Sequence, residues 1–243
     1  MPAAANGGDR LRGPGRLPHP AWIRFAGPPG GRGQRHAGPG YGGRVRAYAA
    51  VLLAGGAARR MGGVDKPALA VGGRPMLHRV LAAVGDAEPR IVVGPADAVP
   101  EGVRVTREDP PGGGPVAATA AGLALLDPGT TIVALLAGDL PLLTAEAVAD
   151  LLGQLSGSSV DGVWYLDDEG RRQQLCGVWR VAALRGALDR LAGERGGTLD
   201  GASMRALLAG LTVREVAWSG AGPPPWFDCD TDEDVRRAEE WTR

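Results

Sequence analysis

Two continuous apolar runs, Tyr48-Ala-Ala-Val-Leu-Leu53 and Thr131-Ile-Val-Ala-Leu-Leu136, constrain this chain more than any other feature. Each has strand length and no polar alternation, so each predicts a strand buried on both faces, as in a parallel sheet. Between and after them, apolar residues recur at helical spacing: Met76, Leu77, Val80, Leu81 and Val84 behind Pro75, then an Ala-rich stretch over 116–126 and a Thr144-capped stretch to Leu155. Further strands are expected at 90–93, 103–105, 161–166, 174–179 and 212–218, and further helices at 182–191, 204–208 and from about Thr231 to the C-terminus. Strands alternating with helices give an α/β chain with a parallel sheet covered on both faces, and such sheets bind ligands beyond the carboxyl ends of their strands.

The pattern starts abruptly. Residues 1–47 hold eight Arg, one acid, 12 Gly and seven Pro, with only six of Val, Ile, Leu, Phe and Trp. They carry +7 while residues 48–243 carry −7, so a net charge of zero conceals two segregated halves. So little apolar surface cannot offset the entropy of ordering the backbone, which predicts a disordered extension over 1–46 and one folded domain over 47–243. The Gly-Pro-Arg spacers lack the interleaved aromatics of a nucleic-acid-binding module, and no nucleic-acid partner is expected. No apolar run has membrane-spanning or signal-peptide length, and Cys176 and Cys229 form neither a disulfide framework nor a zinc site. A cytoplasmic monomer or weak oligomer is the expectation.

Four segments carry chemistry. The first, Leu53-Ala-Gly-Gly-Ala-Ala-Arg-Arg-Met-Gly-Gly-Val-Asp-Lys-Pro67, takes a buried strand into a glycine-rich loop with two arginines and closes it with a lysine. Glycines let backbone N–H groups converge on an anion, and the cations neutralise phosphate. It is not a Walker A loop, because Asp65 precedes Lys66 and no hydroxyl residue follows. The bland reading is a flexible surface loop. Against it, Lys66 is the only lysine beside 26 arginines, so this position points to a need for a compact ammonium rather than a planar fork.

The second segment is Glu108-Asp-Pro-Pro-Gly-Gly-Gly-Pro-Val-Ala-Ala118. Gly112, Gly114 and Ala117 formally fit a dinucleotide fingerprint, but two acids and two prolines separate them from any strand, and the fingerprint must follow a strand directly. The third, Leu135-Leu-Ala-Gly-Asp-Leu-Pro141, sets Asp139 at the carboxyl tip of a buried strand, a natural place for a Mg²⁺ ligand. The fourth, Phe227-Asp-Cys-Asp-Thr-Asp-Glu-Asp-Val235, has Asp228 and Asp230 two apart, with capping-box spacing from Thr231 to Asp234. Either aspartate is a candidate to complete the metal site, with Asp230 the one nominated.

Leu53-Ala-Gly-Gly, Arg60-Met-Gly and Asp65-Lys-Pro-Ala-Leu resemble the signature of MobA-like nucleotidyltransferases, the family of the molybdenum cofactor guanylyltransferases. Its usual pattern is L-A-G-G-x-S-x-R-M-G-x-D-K, and Ala58 stands where Ser is common. The other segments resemble the family's D-x-x-x-x-G-P-L-A-A, G-D-x-P and D-I-D-T-P-E-D-L stretches, with Asp232 in place of the last proline, and Gln174 to Arg180 resembles its strand beside the acceptor pocket. The resemblance covers about residues 48–243. It implies a three-layer α/β/α Rossmann-like nucleotidyltransferase fold with a mostly parallel sheet. It further implies nucleotide contacts at Leu53, Ala54, Gly55, Gly56, Lys66, Asp109, Gly113, Gly114 and Asp139. Catalytic roles fall on Arg60, Lys66 and Asp139, and Mg²⁺ on Asp139 and Asp230.

The implied reaction moves a nucleoside monophosphate from an NTP, GTP in this family, to a phosphorylated acceptor, molybdopterin, with pyrophosphate leaving. Cytidylyltransferases for the same pterin, guanylyltransferases of deazaflavin cofactors and sugar-1-phosphate nucleotidyltransferases share these motifs, so base and acceptor stay open at this point. The rival from a different class is a non-catalytic nucleotide-binding module; the presence of both Lys66 and Asp139 speaks against it.

Overall fold

The structure is a computed structural model that describes residues 47–55, 68–95 and 99–243. The extension expected over 1–46, together with Gly56, Arg60 and Lys66, lies outside the described residues. The apolar run at 48–53 forms β1 (Ala49–Leu53), every residue of it buried. A two-residue turn at Gly72-Gly73, with φ of 57° and 74°, joins β2 (Ala70–Val71) to β3 (Arg74–Pro75) in a small hairpin. α1 (Met76–Ala83) starts at the first residue of that periodicity, because Arg74 and Pro75 are committed to the hairpin.

The chain continues through β4 (Arg90–Val93), β5 (Val103–Thr106), α2 (Gly114–Ala124), β6 (Ile132–Ala137) and α3 (Ala145–Leu155). Then follow β7 (Gly162–Leu166), β8 (Arg172–Arg180), α4 (Val181–Glu194), α5 (Met204–Leu208), β9 (Val213–Ala217) and α6 (Asp232–Trp241). The Thr144 hydroxyl accepts from Ala147 N–H at 3.2 Å and caps α3 as its sequence predicts. The Thr231–Asp234 capping box at the head of α6 is present in both directions.

Seven strands make one sheet in the order β5-β4-β1-β6-β8-β7-β9. Only β8 runs against the rest, antiparallel to both β6 and β7. Its reversal follows from a tight turn: Asp167 Oδ1 accepts from the N–H groups of Glu169 at 3.0 Å and Arg171 at 2.7 Å, and a connection this short can only return the chain antiparallel. Alternate residues of each central strand feed two cores. Ala50, Leu52, Val92, Ala134 and Leu136 face α1 and α3, whereas Val51, Leu53, Ile91, Val133 and Leu135 face α2, α4 and α5. The result is the three-layer α/β/α arrangement with a mostly parallel sheet.

Pairing register aligns the ends of four neighbouring strands: Thr106 pairs with Val93, Val93 with Leu53 and Leu53 with Ala137. The chain leaves β1 toward β4 and leaves β6 toward the opposite half of the sheet. The carboxyl edge between β1 and β6 is therefore a topological switch point, where open α/β sheets place their ligands.

Candidate active site

Four backbone segments leave that carboxyl edge side by side: Ala54-Gly55, Gly94-Pro95, Arg107-Glu108 and Gly138-Asp139. They are held to one another by main-chain bonds. Gly138 N–H donates to the Leu53 carbonyl at 2.9 Å, Ala54 N–H to Val93 at 2.8 Å and Gly94 N–H to Thr106 at 2.9 Å. A Cβ at Gly138 would lie 3.2 Å from both the Leu53 carbonyl oxygen and Ala54 Cα, and one at Gly94 (φ 133°) would lie 2.5 Å from the Gly55 nitrogen. Glycine is needed at Gly94, where backbone passes closer than any Cβ allows, and fits tightly at Gly138. Half-buried Asp139 is thereby fixed beside the start of the Leu53-Ala54-Gly55 loop.

The second segment closes over the neighbouring ends. Glu108 turns its carboxylate toward Gly55, with both oxygens 3.9 Å from where a Gly55 Cβ would be, and Oε1 accepts from Gly112 N–H at 3.0 Å. Asp109 is exposed at the rim. α2 opens at Gly114 (φ 87°) and Pro115, two residues before the apolar pattern alone placed it, with Gly113 as a cap that has no side-chain acceptor. Gly113 itself is buried: its N–H donates to Pro110 at 3.1 Å and its carbonyl accepts from Gly201 N–H at 2.9 Å. The loop containing Asp200 and Gly201 is thus seated against the head of α2.

On the other side of Asp139, the segment Asp228-Cys-Asp230 is pinned by Cys229, which is fully buried in a small core with Leu142, Val71, Met76 and Ala238. Both flanking aspartates are exposed. Leu142 lies just past Asp139, so this core fastens the aspartate pair to the same loop. Among the described residues no three His, Cys, Asp or Glu side chains converge as a metal cage. Mg²⁺ asks for less, since one or two carboxylates plus substrate phosphates suffice, and an all-oxygen pair of aspartates fits that demand.

The structure thus brings together Leu53, Ala54, Gly55 and Asp139, with Asp109 and Gly114 on the adjoining loop; Gly56, Arg60 and Lys66 are outside the described residues. Sequence reasoning passed over Gly94, and took Glu108 only as the start of a motif. The signal available for Gly94 was a Gly-Pro pair directly after a buried strand. Cys176 on β8 is no nucleophile, because complete burial pushes its thiol up to about 12.

A mostly parallel sheet that sets a strand-tip aspartate beside the start of a glycine-rich segment has the architecture of α/β proteins that bind ligands at that edge. Residues 50–214 match the family model described as the MobA-like NTP transferase domain, and the chain belongs to that family of nucleotidyltransferases. It is 31% identical over 197 residues to a molybdenum cofactor guanylyltransferase of Bradyrhizobium sp. (strain ORS 278), across 78% of this chain and 90% of that one. Among solved structures, the molybdopterin-guanine dinucleotide biosynthesis protein A of Archaeoglobus fulgidus superposes with a TM-score of 0.57 at 19% identity, covering 79% of this chain and 96% of that chain. The 2-C-methyl-D-erythritol 4-phosphate cytidylyltransferase of Francisella tularensis does so with 0.61 at 15% identity, covering 80% and 100%. At these identities the two structures establish the shared fold.

Proposed function

We propose that this nucleotidyltransferase moves GMP from GTP to molybdopterin with Mg²⁺ as its metal. The observation that carries the proposal is the Gly138–Leu53 bond at 2.9 Å, which sets the peptide before Asp139 against the end of β1, where the glycine-rich segment begins. The match to a curated guanylyltransferase across most of both chains supports the choice of base and acceptor.

In this reading the N–H groups of Gly55 and Gly56, just past Leu53 and Ala54 at the strand tip, cradle the triphosphate, Lys66 and Arg60 neutralise its charge, and Asp109 and Gly114 lie along the nucleotide. The uncapped first turn of α2 adds N–H donors on the same side. A phosphate oxygen of the acceptor forms a bond to the α-phosphorus, the bond from that phosphorus to the β-phosphate bridge breaks, and pyrophosphate leaves. The protein's part is orientation and charge complementarity, since phosphoryl chemistry asks for little covalent help. Asp139 and Asp230 would hold Mg²⁺, which when bound neutralises charge on the triphosphate and the departing pyrophosphate. A cytoplasmic monomer or weak oligomer without a nucleic-acid partner belongs to the same proposal; among the described residues no helix is long and apolar enough to cross a membrane.

The test is to incubate the full chain with each of the four NTPs, Mg²⁺ and molybdopterin, and to weigh the products. The expected product is the guanine dinucleotide form of the pterin, from GTP alone. A cytidylylated pterin would correct the base, and absence of any dinucleotide would overturn the acceptor.

A further inference from the structure

The strand order settles which way a nucleotide must lie on this edge if Asp139 stands at its reacting phosphate. Acceptor and pyrophosphate would then occupy the β6 end, and the base would extend past Gly55 over β4 and β5, where Gly94 and Glu108 stand. The two glycines let the strand ends close up, a Cβ at Gly94 lying 2.5 Å from the Gly55 nitrogen, and among the described residues Glu108 is the carboxylate that faces Gly55 from the next loop. It is fixed rather than free to swing, because Oε1 accepts from Gly112 N–H at 3.0 Å. Oε2 has no hydrogen-bond partner among the described residues.

We infer that Glu108 is the base-reading residue, accepting from the N1–H and the 2-amino group of guanine; this rests on the proposed use of GTP. A carboxylate only accepts hydrogen bonds. Guanine presents two adjacent donors on its pairing edge. Adenine and cytosine present an amino donor beside a ring acceptor, and uracil a single N–H between two carbonyls. The latter three each set a lone pair against the carboxylate, so the same group that holds guanine rejects the others. The Gly112 bond presets the carboxylate, which spares the cost of ordering a long side chain on binding.

The experiment uses the full chain and its Glu108→Gln variant with GTP, ITP, ATP and CTP, reading kcat and KM separately; ITP is guanine's analogue without the 2-amino group. Gln keeps an oxygen for Gly112 N–H but turns a donor toward the base. The wild type is expected to prefer GTP over ITP, and Glu108→Gln to lose about 10- to 100-fold in kcat/KM with GTP, mostly in KM, as for a lost hydrogen bond to a charged group. The GTP:ITP ratio should fall toward one, while turnover of ATP and CTP stays level or rises. A purely structural role would depress all four nucleotides alike and leave the ratio untouched. If the wild type prefers GTP and Glu108→Gln keeps the GTP:ITP ratio, the inference falls and the use of GTP stands. If the wild type shows no preference for GTP, the function proposed above fails first and the inference falls with it.

Discussion

At the scale of single residues, the site depends on side chains that are absent as much as on those present. A Cβ at Gly138 would stand 3.2 Å from the Leu53 carbonyl oxygen at the end of β1, so in Gly138→Ala it is main chain, not a flexible side chain, that must give way. That overpacking is expected to cost about 1–3 kcal/mol. It should also lower turnover more than a remote substitution of equal cost, since the displaced peptide carries Asp139; urea unfolding and kinetics on the same preparation check both. Lys66→Ala is expected to lose about 10²–10³ in kcat, the usual consequence of removing one oriented charge at a transition state. Lys66→Arg should fare nearly as badly, because a planar fork cannot take the place of a compact ammonium. Near-normal kinetics in the Arg variant would remove the argument from the lone lysine.

At the scale of elements, close approach between layers is the main determinant. α2 lies so near the sheet that a Cβ at Gly122 would stand 2.4 Å from Val51 Cγ1 and 3.1 Å from Val93 Cγ2. Although alanine is the better helix former, Gly122→Ala is expected to destabilise the protein by about 1–3 kcal/mol and to shift the head of α2; a raised melting temperature would contradict that packing. β8 contributes a pH dependence. Burial raises the Cys176 thiol from 9.0 to about 12, so between those values the folded chain binds a proton that the unfolded chain releases. Stability from this group is complete below pH 9 and declines as pH rises toward 12. Tyr48 and Tyr165, raised by burial and then by Asp86 and Asp150 respectively, act in the same direction at higher pH. Denaturant unfolding at successive alkaline pH values should show this decline, and a shallower one for Cys176→Ala. The elements themselves were largely legible, because continuous apolar runs and 3.6-residue spacing are local signals. The hairpin at Ala70–Pro75 was not, since two-residue strands carry no periodicity. The placement of β8 between β6 and β7 was not either, because strand order depends on long-range packing that no local window contains. The candidate site divided along the same line: Leu53, Asp139 and Thr231 follow from motif and cap chemistry, whereas Glu108 matters through proximity to Gly55, 53 residues away in sequence.

At the scale of the whole molecule, charge and core are unevenly divided between a basic Gly/Pro-rich beginning and an acidic remainder. We propose that the fold is self-sufficient from residue 47. Deleting residues 1–46 is then expected to move the melting temperature by less than about 2 °C, the shift that corresponds to under 1 kcal/mol in a domain of this size. Scanning calorimetry decides it, and a larger drop would place part of the core in the deleted segment. The carboxyl edge of this sheet is proposed to transfer a nucleotidyl group. Following two radiolabels of GTP through one reaction with Mg²⁺ and molybdopterin tests it most directly. A label on the α-phosphate should appear in the pterin dinucleotide, and a label on the γ-phosphate should appear only in pyrophosphate. Transfer of the γ label to the acceptor, or retention of both labels in GTP, would contradict the account.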